Sequence, residues 1–116
     1  MEMENRYIEI FTGLRRDYGY ADINSAFKDP STGKLKLKYG WAAKELLDSD
    51  YIAHLEGKKS IGVQPCNDDG LSNFGAIDID SDEYDNFDLR KYLEIIDKKN
   101  IPVVPVKSKS GGLHIY

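Results

Sequence analysis

The segment FGAIDIDSD, residues 74–82, sets Asp78, Asp80 and Asp82 at alternate positions behind a small, apolar lead-in. On a strand, successive side chains point to opposite faces, so Asp78 and Asp80 share one face while Ile77 and Ile79 share the other. Two carboxylates about 7 Å apart on one face repel unless a cation lies between them. One reading is a pair of solvated acids at a hairpin mouth. A calcium loop is a second, since Asp78, Asp80 and Asp82 match its first, third and fifth positions. It fails at Glu83, where the loop needs a turning glycine, and at Leu89, where it needs a bidentate glutamate. A magnesium or manganese site is the third reading: carboxylates at one height hold the ion and leave water positions for substrate phosphates.

The second set of reactive residues is SKSGGLHIY, 108–116. Gly111 and Gly112 let a backbone approach a ligand closely and turn N–H groups toward an anion. Ser108, Lys109 and Ser110 add hydroxyls and a positive charge of the kind that phosphates attract. His114 lies between Leu113 and Ile115 on an expected strand, so it points to the polar face, as Asp78 and Asp80 do. It is either a structural histidine or a phosphate contact. The two segments gain weight from standing on either side of a single strand–helix–strand unit.

These residues sit in a chain of 116 residues that is 41% hydrophobic and 31% charged, a globular composition consistent with one domain. No apolar run approaches the roughly 18 residues of a membrane helix, and no secretory leader is evident. The single cysteine, Cys66, excludes an internal disulfide, fits a reducing cytoplasm and reads as a packing residue. The net charge of −4 argues against a general nucleic-acid coat, but the charge is unevenly spread. Residues 78–88 carry six acids and no base, whereas Lys28, Lys34, Lys36 and Lys38 have only Asp29 among them. The Lys34, Lys36 and Lys38 loop, with Arg15 and Arg16, is either a track for a nucleic-acid backbone or a solvated surface. Tyr39 and Trp41 are base-stacking residues or, more commonly beside a helix start, core.

The elements expected to position these groups begin with a helix, since Tyr7, Ile10, Phe11, Leu14 and Tyr18 recur at helical spacing until Gly19. Residues 20–40 lack a period and read as a loop containing the turn DPSTGK. A helix follows from Trp41 to about Leu47, then a short one capped by Asp48 or Ser49 and ended by Gly57. SIGVQP reads as a strand that NDDG folds into a hairpin with SNFGAIDID. A helix capped by Asp85 or Asn86 carries Leu89, Tyr92, Leu93 and Ile96 on one face. IPVVPV, the turn KSKSGG and the strand LHIY complete the chain. The expected class is α+β: a helical portion over residues 1–57, then a mixed sheet over 58–116 with a hairpin, a parallel β-α-β pair and helices on one face.

GAIDID followed about thirty residues later by SKSGGLHIY resembles the archaeo-eukaryotic primase superfamily. The lead-in from Tyr51 onward is most similar to the primase domain of TOTE conflict systems and related phage and mobile-element primase-polymerases. The resemblance implies an RRM-like catalytic core, of which this chain would be the N-terminal part, with a third acidic residue beyond Tyr116. It further implies that Asp78 and Asp80 ligate Mg²⁺ or Mn²⁺ for nucleotidyl transfer. Ser110 (or Ser108), Lys109, the Gly111–Gly112 backbone and His114 would then hold the triphosphate of an NTP or dNTP. The implied partners are a single-stranded DNA template and further helicase or nuclease domains in the full-length protein or operon. The alternatives are an inactive nucleotide- or nucleic-acid-binding relative and another metal-dependent phosphotransfer enzyme such as a nuclease.

Overall fold

The structure is a computed structural model that describes residues 2–116. It is α+β: helix α1 (Glu2–Ile10), strands β1 (Leu14–Lys28) and β2 (Leu35–Ala42), helix α2 (Asp48–Leu55), strands β3 (Gly62–Gln64) and β4 (Ile77–Ile79), a 3-10 turn (Ser81–Glu83), helix α3 (Leu89–Lys98), and strands β5 (Pro105–Lys107) and β6 (Leu113–Ile115). The chain divides into two compact units, one running up to Phe74 and the other spanning Gly75–Tyr116. Among the described residues no helix is long and apolar enough to cross a membrane.

In the first unit α1 ends at Ile10, well before the expected Tyr18. Thr12 turns its hydroxyl back to the Ile8 carbonyl, satisfying one of the acceptors that a helix end leaves open. Gly13 then separates the helix from β1. Residues 20–40 form a long antiparallel hairpin in place of the expected loop, with Tyr18 opposite Ala42, Tyr20 opposite Gly40 and Asp22 opposite Lys38. Trp41 and Ala42 therefore belong to β2, and residues 43–47 are not helical. The expected turn does sit at the hairpin tip: Gly33 N–H donates to Asp29 O at 2.7 Å, and Asp29 Oδ1 accepts from Ser31 N at 2.8 Å and Ser31 Oγ at 2.6 Å.

Helix α2 lies where expected, but its N-cap is Leu47, and Asp48 and Ser49, expected as caps, stand inside its first turn. Asp50 Oδ2 reaches back to accept from Leu47 N at 2.9 Å, and Asp48 and Asp50 place negative charge in the first turn, where the helix dipole favours it. Tyr18 from β1, Leu46 from the segment between β2 and α2, and Tyr51 from α2 form the buried centre, with Tyr7, Phe11, Ile61 and Val63 packed around them. Tyr51 satisfies its hydroxyl on Phe11 O at 2.8 Å. Of the apolar residues expected to share one helix, Tyr7, Phe11 and Tyr18 do meet in one core, reached from α1 and β1 separately, whereas Ile10 is 42% exposed and Leu14 lies outside that cluster.

Strand β3 pairs antiparallel with β1, giving the order β2-β1-β3. The expected β3–β4 hairpin is reduced to a single bridge, Cys66 to Ser72, around the NDDG turn. That turn is held by Asn67, whose side chain accepts from Asp69 N and Leu71 N at 3.0 Å each. Cys66 is exposed, with Sγ 3.2 Å from Ser72 Oγ, and is no packing residue.

The second unit has the order β4-β6-β5, both outer strands antiparallel to β6. β4 and β5 run parallel to each other as expected but are not neighbours, because β6 lies between them. Its neighbours are set by the hairpin, which brings β6 back against β5 and leaves its other edge to β4. Pro105 occurs where it costs nothing. Val104 and Tyr116 exchange both backbone hydrogen bonds at 2.8 and 3.0 Å, so Pro105 opposite Ile115 falls at a pair that needs no N–H. Helix α3 is capped by Asp88, not by the expected Asp85 or Asn86: Asp88 Oδ1 accepts from Arg90 N at 3.1 Å, so the helix starts at Leu89.

Candidate active site

Asp78 and His114 are directly opposite each other on β4 and β6. The alternation that makes Val104–Tyr116 a hydrogen-bonded pair points the N–H and C=O of His114 toward β5. Toward β4 the pair is therefore of the non-hydrogen-bonded kind, in which facing side chains come closest. Accordingly His114 Nε2 stands 3.4 Å from Asp78 Oδ1, with the side chains 39% and 66% exposed. Asp80 continues extended (φ −80°, ψ 125°) past the strand end, so its side chain leaves on the same side as Asp78. Acid pair and imidazole share one face of the sheet.

The 108–112 turn lies against the end of β4. Ser108 N donates to Gly112 O at 3.0 Å, Gly112 N to Ser108 Oγ at 2.9 Å, and Gly111 N to Ser108 O at 3.1 Å. Ser81 Oγ is 3.4 Å from Ser110 O. Gly112 is buried, and a Cβ there would stand 2.4 Å from Ile79 O, a distance no side chain can occupy. Of the two glycines, this one is needed for contact between the turn and the aspartate strand. Among the described residues the turn's internal hydrogen bonds use the N–H groups of Gly111 and Gly112, not those of Lys109 and Ser110. Lys109 and Ser110 stand exposed at the tip.

Two residues missed in the sequence belong beside the site. Tyr116 places its hydroxyl 3.5 Å from His114 Nδ1, with the rings edge to face at 6.2 Å, so the imidazole has a neighbour at each nitrogen. Strand alternation already put positions 114 and 116 on one face. Ser81 is the other, and only the β4–turn contact reveals it.

The donor chemistry fits a hard divalent cation. Two exposed carboxylates match the one or two that Mg²⁺ takes from protein while retaining water. Among the described residues no group of three or more His, Cys, Asp or Glu side chains is gathered closely enough to enclose a metal.

The basic residues of the first unit are dispersed over several roles. Arg15 is drawn inward: Nε donates to Leu46 O at 2.8 Å, Nη2 meets Asp48 Oδ1 at 2.5 Å, and the guanidinium lies 5.4 Å from the Tyr51 ring centre. Arg16 pairs with Asp68 at 3.3 Å and Lys36 with Asp29 at 2.6 Å. Lys34 belongs to the hairpin turn, and Lys38 stands on β2 opposite Asp22. Tyr39 and Trp41 are 74% and 56% exposed on β2, outside the core.

Comparison with curated proteins and with solved structures gave no match. The family model described as the archaeo-eukaryotic primase domain of the TOTE conflict system matches residues 15–116, from the start of the hairpin through the Asp78–His114 sheet. With that span and those motifs in their expected order, the chain belongs to the archaeo-eukaryotic primase domain family of TOTE conflict systems.

Proposed function

We propose that this chain carries the metal- and nucleotide-binding sheet of a template-directed DNA primase-polymerase. Primase/polymerase-type nucleotidyl transfer is the activity of the family, and nucleotides with single-stranded DNA are its general substrates. In this reading Asp78 and Asp80 hold Mg²⁺ or Mn²⁺. When bound, the cation supplies Lewis acidity that eases deprotonation of a 3′-hydroxyl and offsets charge on the α-phosphate. Lys109 and Ser110 at the turn tip, with Ser108 behind them, take the triphosphate, the lysine as a point charge and the serine through hydroxyl and N–H. Gly111 and Gly112 shape that tip. His114 donates from Nε2 to a phosphate oxygen, and the Tyr116 hydroxyl beside Nδ1 orients the ring.

The observation that carries this reading is the in-register pairing of Asp78 with His114, 3.4 Å apart, at the strand end where the 108–112 turn is packed. Asp78→Asn is expected to lower Mn²⁺-dependent nucleoside triphosphate binding by at least about tenfold, the scale of loss for groups supporting a metal site. The fold should persist, slightly stabilised without metal because a repulsive pair is gone. Unfolding of this variant would make Asp78 structural and sink the assignment. His114→Ala should weaken triphosphate binding more than metal binding, and equal losses would remove its phosphate role. Metal-dependent release of nucleotides from DNA, in place of labelled-nucleotide incorporation, would turn the reading to a nuclease.

A further inference from the structure

The first unit holds an open hollow of about 570 Å³ between the β1–β2 hairpin and the α2–β3 connection. Tyr18, Tyr20, Lys38, Lys44, Lys58 and Lys59 give it its chemistry, with Asp22 the one acid in its lining. Tyr20 sits across from Gly40, and a Cβ at Gly40 would fall 2.5 Å from the Tyr20 ring. The ring thus lies over bare backbone, is 40% exposed and lines the hollow.

The four lysines differ in how far they are already neutralised. Lys59 Nζ is 2.5 Å from Asp50 Oδ1 and donates to Tyr18 Oη at 2.8 Å, and these bonds, Asp50's first, hold its ammonium above the usual lysine range. Lys58 pairs with Glu56 at 2.7 Å. Lys38 and Lys44 have no ion-pair partner among the described residues. The hollow therefore combines two lysines held in no ion pair, Lys38 across from Asp22 and Lys44 in the field of Asp50, with an aromatic plane fixed by the fold.

We propose that this hollow binds single-stranded nucleic acid, with a base stacked on Tyr20 and the adjoining phosphates neutralised by Lys38 and Lys44. Every base has a π-face, whereas a duplex hides those faces and a lipid headgroup or inorganic phosphate has none. The choice of nucleic acid over another polyanion rests on the template-directed reading, but the residues involved include neither Asp78 nor His114.

Fluorescence anisotropy of the whole chain with labelled oligothymidylate of about 12 nucleotides, within the usual site sizes, tests this. The double variant Lys38→Gln/Lys44→Gln should lose about tenfold or more in affinity. Its log–log salt slope should flatten by about 1.4, two single-strand phosphate contacts. Tyr20→Leu should lose roughly 5- to 100-fold with the slope unchanged, and Tyr20→Phe, which keeps the ring, should bind as the parent does.

Equal binding by Tyr20→Leu and Tyr20→Phe overturns the proposal, as does a duplex of the same length binding as tightly as the single strand. An unaltered salt slope in the lysine double variant also overturns it. Asp78→Asn should leave oligonucleotide binding intact. If that variant also keeps Mn²⁺-dependent triphosphate binding, the active-site reading fails while the hollow stands. If it loses triphosphate binding and the hollow variants bind DNA normally, only the hollow fails.

Discussion

At the scale of single residues, the two glycines of the 108–112 turn have different tasks that their sequence context conceals. Gly111 has φ +88° and open space where a side chain would go, so Gly111→Ala meets only the backbone penalty of that region, about 1 kcal/mol. Gly112 is not held at a positive φ but has no room: a Cβ would meet Ile79 O at 2.4 Å, Ser108 Oγ at 3.2 Å and Ser81 N at 3.4 Å. Two of these are backbone atoms, so the turn itself must move, and Gly112→Ala should cost about 1–3 kcal/mol. Denaturant midpoints should rank the variants in that order, with triphosphate affinity dropping further in Gly112→Ala; the reverse ranking would mean the turn is not packed on β4. The shared face of Asp78, Asp80 and His114 was legible because it depends only on the two-residue period of a strand. The role of Arg15 was not, since the carbonyl that claims its guanidinium belongs to Leu46, 31 residues away.

At the scale of elements, the β1–β2 hairpin shows how residues that do reach the core can be given the wrong period, and how that period adds one, Ile10, that stays exposed. Tyr7, Phe11 and Tyr18 all reach the core, at a spacing that a helix and a helix-plus-strand satisfy equally well. The strand pattern of residues 14–28 is broken by a register shift between Asp22 and Phe27, where Asp22 bends the chain by accepting from Asn24 N at 3.0 Å. Local turn chemistry was readable in part: the NDDG and DPSTGK turns and the end of α2 rest on contacts within a few residues, whereas the caps of α2 and α3 fell on Leu47 and Asp88 rather than on the residues expected. Strand neighbours were not, because β1–β3 and β4–β6 pairings join distant segments. The hairpin tip offers a test in its own right. The Lys36 ammonium, then the Ser31 hydroxyl and N–H, hold the Asp29 carboxyl at about 2, below its ordinary 3.8. A carboxylate depressed in the folded state contributes stability above its unfolded value and loses it as pH falls through the folded one. The tip should therefore stay ordered well below pH 3.8, and the Ser31 amide resonance should titrate with a midpoint near 2. A midpoint at the ordinary value would mean that the Asp29–Lys36 contact does not persist in solution.

At the scale of the molecule, burial is unequally shared between the two compact units. The first has Tyr18, Leu46 and Tyr51 fully buried, whereas Leu113 is the one large side chain below 2% exposure described in the second. The second unit is near the size, about 40 residues, below which a single core seldom suffices without a metal or another staple. It also concentrates six acids between residues 78 and 88, whose mutual repulsion opposes compaction. A ligand that binds only the folded form stabilises it by mass action, about 2.7 kcal/mol at a hundredfold excess over its dissociation constant. The metal–triphosphate pair proposed for Asp78, Asp80 and the 108–112 turn should therefore act as a folding ligand for residues 75–116. In hydrogen exchange without metal, the amides of β5 and β6 should open far more readily than those of Tyr20 and Asp22 in β1. Saturating Mn²⁺ with a nucleoside triphosphate should slow the former about 100-fold and leave the latter unchanged. Asp78→Asn should show the opposite balance, with slightly better protection in metal-free buffer and no response to the ligands. If both units gain protection equally, or if Asp78→Asn responds as the parent does, the cation is not held by the aspartates of β4.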